Sequence, residues 1–291
     1  MIRELAPAKV NLFLHVGDKR PDGYHELESL VVFASAGDEL TFEEADALSL
    51  HVEGPFAAGL AEEPDNLVLR AARQFAAFAQ IEPKVRITLT KNLPIASGVG
   101  GGSSDVGATL RGLSRLWPGK LTLPQLWNIG HDLGSDVPVS VLPGCWWMTG
   151  RGERFASVPE IGTLDALLVN AGTAVPTASV YAKLKERSGT GRMTKPQRFA
   201  TIGQLSEYLH RARNDLEAPA RTLCPAIDEE LAALNRTNPL LARMSGSGAT
   251  CFALYPDAAS AGMAAETTSR EHPGWWIAPT KLNFGRKWEF Q

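Results

Sequence analysis

Polar and apolar residues alternate at the start of the chain. Between residues 3 and 16, Val10, Leu12, Leu14 and Val16 share one face, and Lys9, Asn11, Phe13 and His15 share the other. That two-residue period predicts a β-strand. Its second face mixes lysine and asparagine with phenylalanine, and the ordinary place for Lys9 is the solvent side. Pro21-Asp22-Gly23 is a turn signal leading to a second extended run, Leu27–Phe33, and residues 38–53 read as a further β pair. The period then changes. Pro64-Asp65-Asn66 opens a helix, with Asp65 or Asn66 as N-cap and Val68, Ala72, Phe75 and Ala79 as its inner stripe. Lys84–Thr90 alternates as a strand, and Val106, Leu110, Leu113 and Trp117 recur at helical steps.

The second half continues the mixture. Pro124–Leu133 reads as a helix closed by Gly134, and Asp136 stands where the N-cap of the next helix belongs, with Pro138 in its first turn. Gly150–Glu153 is a turn between strands, and Asp165–Val169 a buried-type strand. Asn170–Pro176 forms a loop before a helix over Thr177–Leu184, and Arg187–Lys195 is a polar, mobile stretch. Helices follow near 203–211 and 225–235, with Pro219 and Pro225 as punctuation. Thr250–Tyr255 is a strand, Ala258–Ser269 a small-residue helix, and Trp275–Pro279 and Leu282–Phe284 are closing strands. The alternation argues α/β or α+β. No internal repeat is evident, and a boundary near Pro159–Thr163 divides the chain into 1–160 and 161–291.

Between strand Lys84–Thr90 and the Val106 stripe runs Pro94-Ile95-Ala96-Ser97-Gly98-Val99-Gly100-Gly101-Gly102-Ser103-Ser104. Glycine leaves no Cβ to block a ligand. The first N–H groups of a helix lack intrahelical partners and carry the positive end of its dipole. A glycine run feeding a helix start therefore suits phosphate. Ser103 and Ser104 can cap the helix or add hydroxyl donors. A Walker A loop needs Lys where this chain has Ser103, and the dinucleotide fingerprint needs Gly there. The alternative reading is a glycine-rich turn before a capped helix. Arg243–Ala249 is a second glycine–serine stretch, read as a βα or αβ turn.

Composition narrows the partners. Of 291 residues 44% are hydrophobic, and the formal net charge is −3. Nothing there attracts nucleic acid or an anionic membrane. Cys145, Cys224 and Cys251 are too scattered for a zinc site, and an odd count argues against a disulfide framework. The start MIRELAPAK has no apolar core, so no secretory signal is expected and a reducing cytoplasm fits.

The set resembles the GHMP kinases (galacto-, homoserine, mevalonate and phosphomevalonate kinases). The residues that carry this are Pro7-Ala8-Lys9-Val10-Asn11-Leu12, Arg20-Pro21-Asp22-Gly23-Tyr24-His25, the glycine run, Gly134-Ser135-Asp136-Val137-Pro138 and Arg243-Met244-Ser245-Gly246-Ser247-Gly248-Ala249. The resemblance implies an α+β fold of two lobes with the site between them: an N-terminal lobe like domain 2 of ribosomal protein S5, and a ferredoxin-like C-terminal lobe. It implies ATP as phosphoryl donor, Mg2+ arriving with it, and a cytidyl polyol as acceptor. Asp136 would be the general base and Lys9 its cationic partner. Residues Pro94 to Ser104 would wrap the ATP phosphates, with Ala96-Ser97 in place of glycines often found there, and Asn66 would meet adenine. Tyr24 and Tyr181 would flank the cytosine, His25 would bond its edge, and Asn11 and Thr177 would place the rest of the substrate. No protein ligand for the metal is implied, and the chain is expected as a monomer or weak dimer. Two other readings stand beside this one: a GHMP kinase for a different small molecule, and a non-catalytic ATP-binding regulator on the same scaffold.

Overall fold

The structure, a computed structural model, describes residues 1–58, 60, 65–158, 162–185, 187, 189–191, 193–196, 199 and 201–283. In chain order the first part holds β1 (Ile2–Lys19), β2 (His25–Glu44), β3 (Ser49–Glu53), α1 (Leu67–Ala79), β4 (Val85–Thr90), α2 (Gly101–Leu116), α3 (Leu123–Leu133), α4 (Val137–Val141), β5 (Trp146–Gly150) and β6 (Arg154–Ser157). The rest holds β7 (Leu164–Asn170), α5 (Thr177–Ala182), α6 (Ile202–His210), α7 (Glu217–Leu223), α8 (Ala226–Arg236), β8 (Leu241–Met244), β9 (Cys251–Tyr255), α9 (Ala258–Glu271) and β10 (Trp276–Leu282).

Long β2 is the spine. It pairs antiparallel with β1 along its length, with β5 through its first half and with β4 through its second. β3 joins β4 in parallel, so β4 lies between β2 and β3. The β pair expected over 38–53 is therefore not a pair. Its two halves each bond to β4, which comes later in the chain, and no local pattern announces that. From β7 onward the strands run β10-β7-β9-β8, all antiparallel, with α5 to α8 before β8 and α9 before β10. Numbered among themselves they lie in the order 4-1-3-2, a ferredoxin-like sheet. Leu282 of β10 pairs with Ala34 of β2 and joins the two sheets. The boundary expected near Pro159–Thr163 begins on residues outside the described set, as do Pro64, Phe284 and parts of the Arg187–Lys195 stretch.

β1 is buried on both faces, which explains its mixed alternation. A register shift between Asn11 and Phe13 turns the strand. Leu12 and Phe13 then enter the core shared by both sheets, with Val10, Leu30, Leu168 and Phe252. Leu14 and Val16 enter the C-terminal core with Val169 and Tyr255. The Arg243 guanidinium ties β1 to the second lobe, donating to the carbonyls of Leu12, Leu209 and Ala212. Burial lowers its pKa to about 10.

Helix α1 is capped by Asn66, whose Oδ1 accepts from Val68 N at 2.9 Å. α7 went unpredicted because Pro219 reads as a break; proline is tolerated in a helix's first turn, where the N–H has no partner. The closing strands are one, Trp276–Leu282. Among the described residues no helix is long and apolar enough to cross a membrane, and the three cysteines are free.

Candidate active site

Helix α2 begins inside the glycine run. Gly100 is its N-cap at φ +65° and Gly98 sits at φ +76°, left-handed values that favour glycine. A Cβ on Gly98 would lie 2.5 Å from the Gly248 carbonyl oxygen, and one on Gly246 2.7 Å from that of Gly98. The two glycine stretches thus touch backbone to backbone. Thr250 N donates to Ser97 O at 3.0 Å across the same seam. The second stretch joins antiparallel β8 to β9, so it is a β-hairpin turn and not a βα or αβ turn.

The strand β1 runs directly beneath. Lys9 N donates to Val99 O at 2.8 Å, and the Lys9 stem packs where a Gly100 Cβ would make a 3.4 Å contact. Lys9 is therefore not on the solvent side; it is 5% exposed. Its ammonium meets Asp136 Oδ2 at 2.7 Å. The Asp136 carboxylate makes no capping hydrogen bond to α4 and its side chain is 38% exposed, so the expected cap fails in favour of the lysine. α4 has only five residues, too short to reward a cap strongly.

Lys9 and Asp136 share one cleft of about 440 Å³ with Asn11, Gly98, Gly100, Gly101, Gly102, Ser103, Thr177, Tyr181 and Ser247. Asn11 donates from Nδ2 to Ser29 Oγ at 2.8 Å; its Oδ1 is buried with no partner among the described residues. Thr177 and Ser247 hydroxyls are 2.8 Å apart. Burial, and then the Asp136 charge, push the Tyr181 phenol up to about 12. Tyr181 stacks on His25 at 5.6 Å and 20° between planes, and His25 Nδ1 lies 3.1 Å from Gly17 O. Tyr24 stands apart, 52% exposed and beneath the Arg151 guanidinium at 5.2 Å.

Not every hydroxyl of the glycine run faces the cleft. Ser104 is fully buried and donates to Pro7 O at 2.6 Å, so it neither caps α2 nor offers a donor outward. Ser97 borders the cleft, but its hydroxyl is spent on Pro94 O at 2.6 Å. Val99 is core. Ala96 holds φ +52°, a conformation glycine would adopt without strain. Pro94 and Ile95 line a second cavity of about 110 Å³ with Asn66 and Lys91, and Ala96 and Leu67 border both cavities. Ser245, Gly246 and Ser247 were not among the residues expected in the site, although their motif was visible; Ser245 Oγ accepts from Asn11 N at 3.1 Å. Among the described residues no three His, Cys, Asp or Glu side chains gather to hold a metal ion.

Such a cleft presents unpaired helix-start amides, a buried ammonium and a half-open carboxylate within one small volume. That combination binds an anion and can take a proton beside it. The GHMP kinases N terminal domain family matches residues 66–144, and GHMP kinases C terminal matches 189–269. A 4-diphosphocytidyl-2-C-methyl-D-erythritol kinase of Parvibaculum lavamentivorans is 47% identical, covering 95% of this chain and 96% of that one. One of Rhodospirillum rubrum is 46% identical, covering 96% and 92%. A crystal structure of 4-(cytidine 5'-diphospho)-2C-methyl-D-erythritol kinase superposes with TM-score 0.80 at 32% identity, over 97% of this chain and 99% of that one. Homoserine kinase of Cytophaga hutchinsonii, 18% identical, shares the fold at TM-score 0.70 over 98% and 96% of the two chains. The chain belongs to the GHMP kinases, and its full-length resemblance within them is to the 4-diphosphocytidyl-2-C-methyl-D-erythritol kinases.

Proposed function

We propose that the protein transfers the γ-phosphate of ATP to the 2-hydroxyl of 4-diphosphocytidyl-2-C-methyl-D-erythritol. The observation that carries this reading is the Lys9–Asp136 contact at 2.7 Å in a cleft walled by Gly98 to Gly102. Full-length identity to kinases of that name supplies the acceptor.

Phosphoryl transfer asks for alignment and charge stabilisation more than for covalent chemistry. The free N–H groups at the start of α2 face the phosphates. Lys9, desolvated against Gly100, stabilises charge on the transferring oxygens and lowers the pKa of the attacking hydroxyl. Asp136 has an oxygen 2.7 Å from that ammonium and enough exposure to reach the hydroxyl and take its proton. Asn66, with Pro94, Ile95 and Ala96 around the smaller cavity, receives the adenine. The buried Oδ1 of Asn11 and the Thr177–Ser247 hydroxyl pair position the polyol. Tyr181, stacked on His25, gives aromatic surface for the cytosine, whose edge His25 bonds; Tyr24, exposed on the turn before β2, is its second aromatic neighbour. Mg2+ is taken to arrive with the nucleotide, bound to its phosphates.

A coupled ADP-release assay decides it, with 4-diphosphocytidyl-2-C-methyl-D-erythritol run against mevalonate, homoserine and galactose. Turnover with the cytidyl polyol alone is the expected result. Turnover with another acceptor instead moves the chain to a different GHMP activity. ATP binding without transfer to any acceptor moves it to the regulator reading.

A further inference from the structure

A second lysine lies behind the glycine run and has no part in the chemistry above. Lys91 follows directly on β4, the strand that feeds the run, and Asp105 sits in α2, the helix that receives it. Lys91 Nζ donates to Asp105 Oδ2 at 2.8 Å and to Asp38 Oδ2 at 2.5 Å. All three side chains are buried. Asp38 holds the exit of the run as well: its Oδ1 accepts from Asn92 N at 2.6 Å and from Leu93 N at 2.8 Å.

One end of this cluster is hydrogen-bonded into its neighbours through the Lys91 backbone. Lys91 N donates to Glu53 O at 2.8 Å, and Phe56 N to Lys91 O at 3.1 Å. Gly54 packs against the same backbone so closely that a Cβ there would fall 2.8 Å from both Lys91 N and Lys91 O. The other end is the first residue of α2. A Cβ on Gly101 would lie 3.5 Å from Lys91 Nζ and 3.8 Å from Asp38 Oδ2. The charged cluster thus touches the back of the amides that face the cleft. Lys91 and Asp105 also wall the smaller cavity with Asn66.

We propose that Asp38, Lys91 and Asp105 form a clasp that closes the neck of residues 92–104 and holds the helix-start amides in their phosphate-binding arrangement. They are positioning residues, and the inference rests on the nucleotide reading above. A loop pinned at both ends loses less conformational entropy when a ligand orders it, and preorganisation of this kind shows as ligand affinity. A cluster serving stability alone would affect both substrates equally.

Asp105→Ala is the informative variant, because it leaves Lys91 and Asp38 as a charge-balanced buried pair. Asp105→Asn keeps an oxygen for Lys91 and is the conservative rescue. Calorimetric titration with a non-hydrolysable ATP analogue, and separately with the cytidyl polyol, reads both sites. The expected result for Asp105→Ala is nucleotide affinity weaker by about tenfold or more, with polyol affinity within twofold of wild type. Asp105→Asn should fall between. Unchanged nucleotide affinity in Asp105→Ala, or equal weakening of both ligands, overturns the clasp. Should Asp105→Ala fail to fold, Asp105→Asn decides: a loss confined to the nucleotide sustains the proposal, and wild-type affinity removes it. If the wild type itself binds no nucleotide, the proposed function fails rather than the clasp.

Discussion

Two lysine–aspartate contacts sit on opposite sides of one glycine run, and their geometry is nearly the same. Lys9 meets Asp136 at 2.7 Å in front, and Lys91 meets Asp105 at 2.8 Å behind. What separates them is the carboxylate's other surroundings. Asp136 is more than a third exposed and faces a cleft; Asp105 is enclosed beside a second carboxylate. Burial and the neighbouring Asp38 charge drive the Asp105 pKa upward against the pull of Lys91. The front pair faces the larger cleft with a half-open carboxylate, while the back pair is buried, spends its hydrogen bonds on the protein and only borders the smaller cavity. Distance alone does not distinguish a reacting pair from a positioning one; solvent access and spare hydrogen-bonding capacity do.

The sharpest break of that comparison is Asp136→Asn. It should lower kcat by about 10²–10⁴, while the amide oxygen it keeps can still accept from the Lys9 ammonium. Lys9→Met should lower kcat by about 10²–10³, read in the same ADP-release assay. Retained turnover in either variant would falsify the front pair's role.

A further buried carboxylate sharpens the comparison, because among the described residues no lysine pairs with it. Glu230 is fully buried, accepts from Ala171 N at 2.7 Å, and is raised by desolvation to about 7 from 4.5. Between those values the native state holds a proton that the unfolded state has lost. Stability therefore falls as pH rises from about 4.5 to about 7, by about 3 kcal/mol. Glu230→Gln should flatten that slope in denaturant melts across this window; a slope unchanged by the substitution contradicts the assignment.

The smallest effect belongs to Ser104→Ala. Its hydroxyl serves Pro7 O behind the run, so the cost should be about 1 kcal/mol of stability with kcat within a few-fold. Ser103→Ala, on the cleft side, should move nucleotide KM more than stability.

Much of this was legible in the chain itself. Strand, glycine run and helix were read from period and composition, and Asn66 was one of two N-cap candidates. Only the family resemblance pairs Lys9 with Asp136; their local patterns put one in solvent and the other at a helix cap. What was hidden depended on distant partners. The burial of Lys9 follows from β1 being covered on both faces, and its strand period gives no sign of that. Asp136 looked like a cap because position favours one, yet a lysine from β1 outcompetes five residues of helix. β4 entering between β2 and β3 undid the 38–53 pair, and Pro219 concealed α7. Asp38, Lys91 and Asp105 carry no motif; only the folded chain brings them together.

The account turns on the front pair acting in transfer and not in ground-state binding. Titrating Asp136→Asn with a non-transferable ATP analogue, then with the cytidyl polyol, tests this most directly. The prediction is dissociation constants within about threefold of wild type for both ligands, in an enzyme that has lost its turnover. Loss of either ligand in step with the loss of turnover would contradict it.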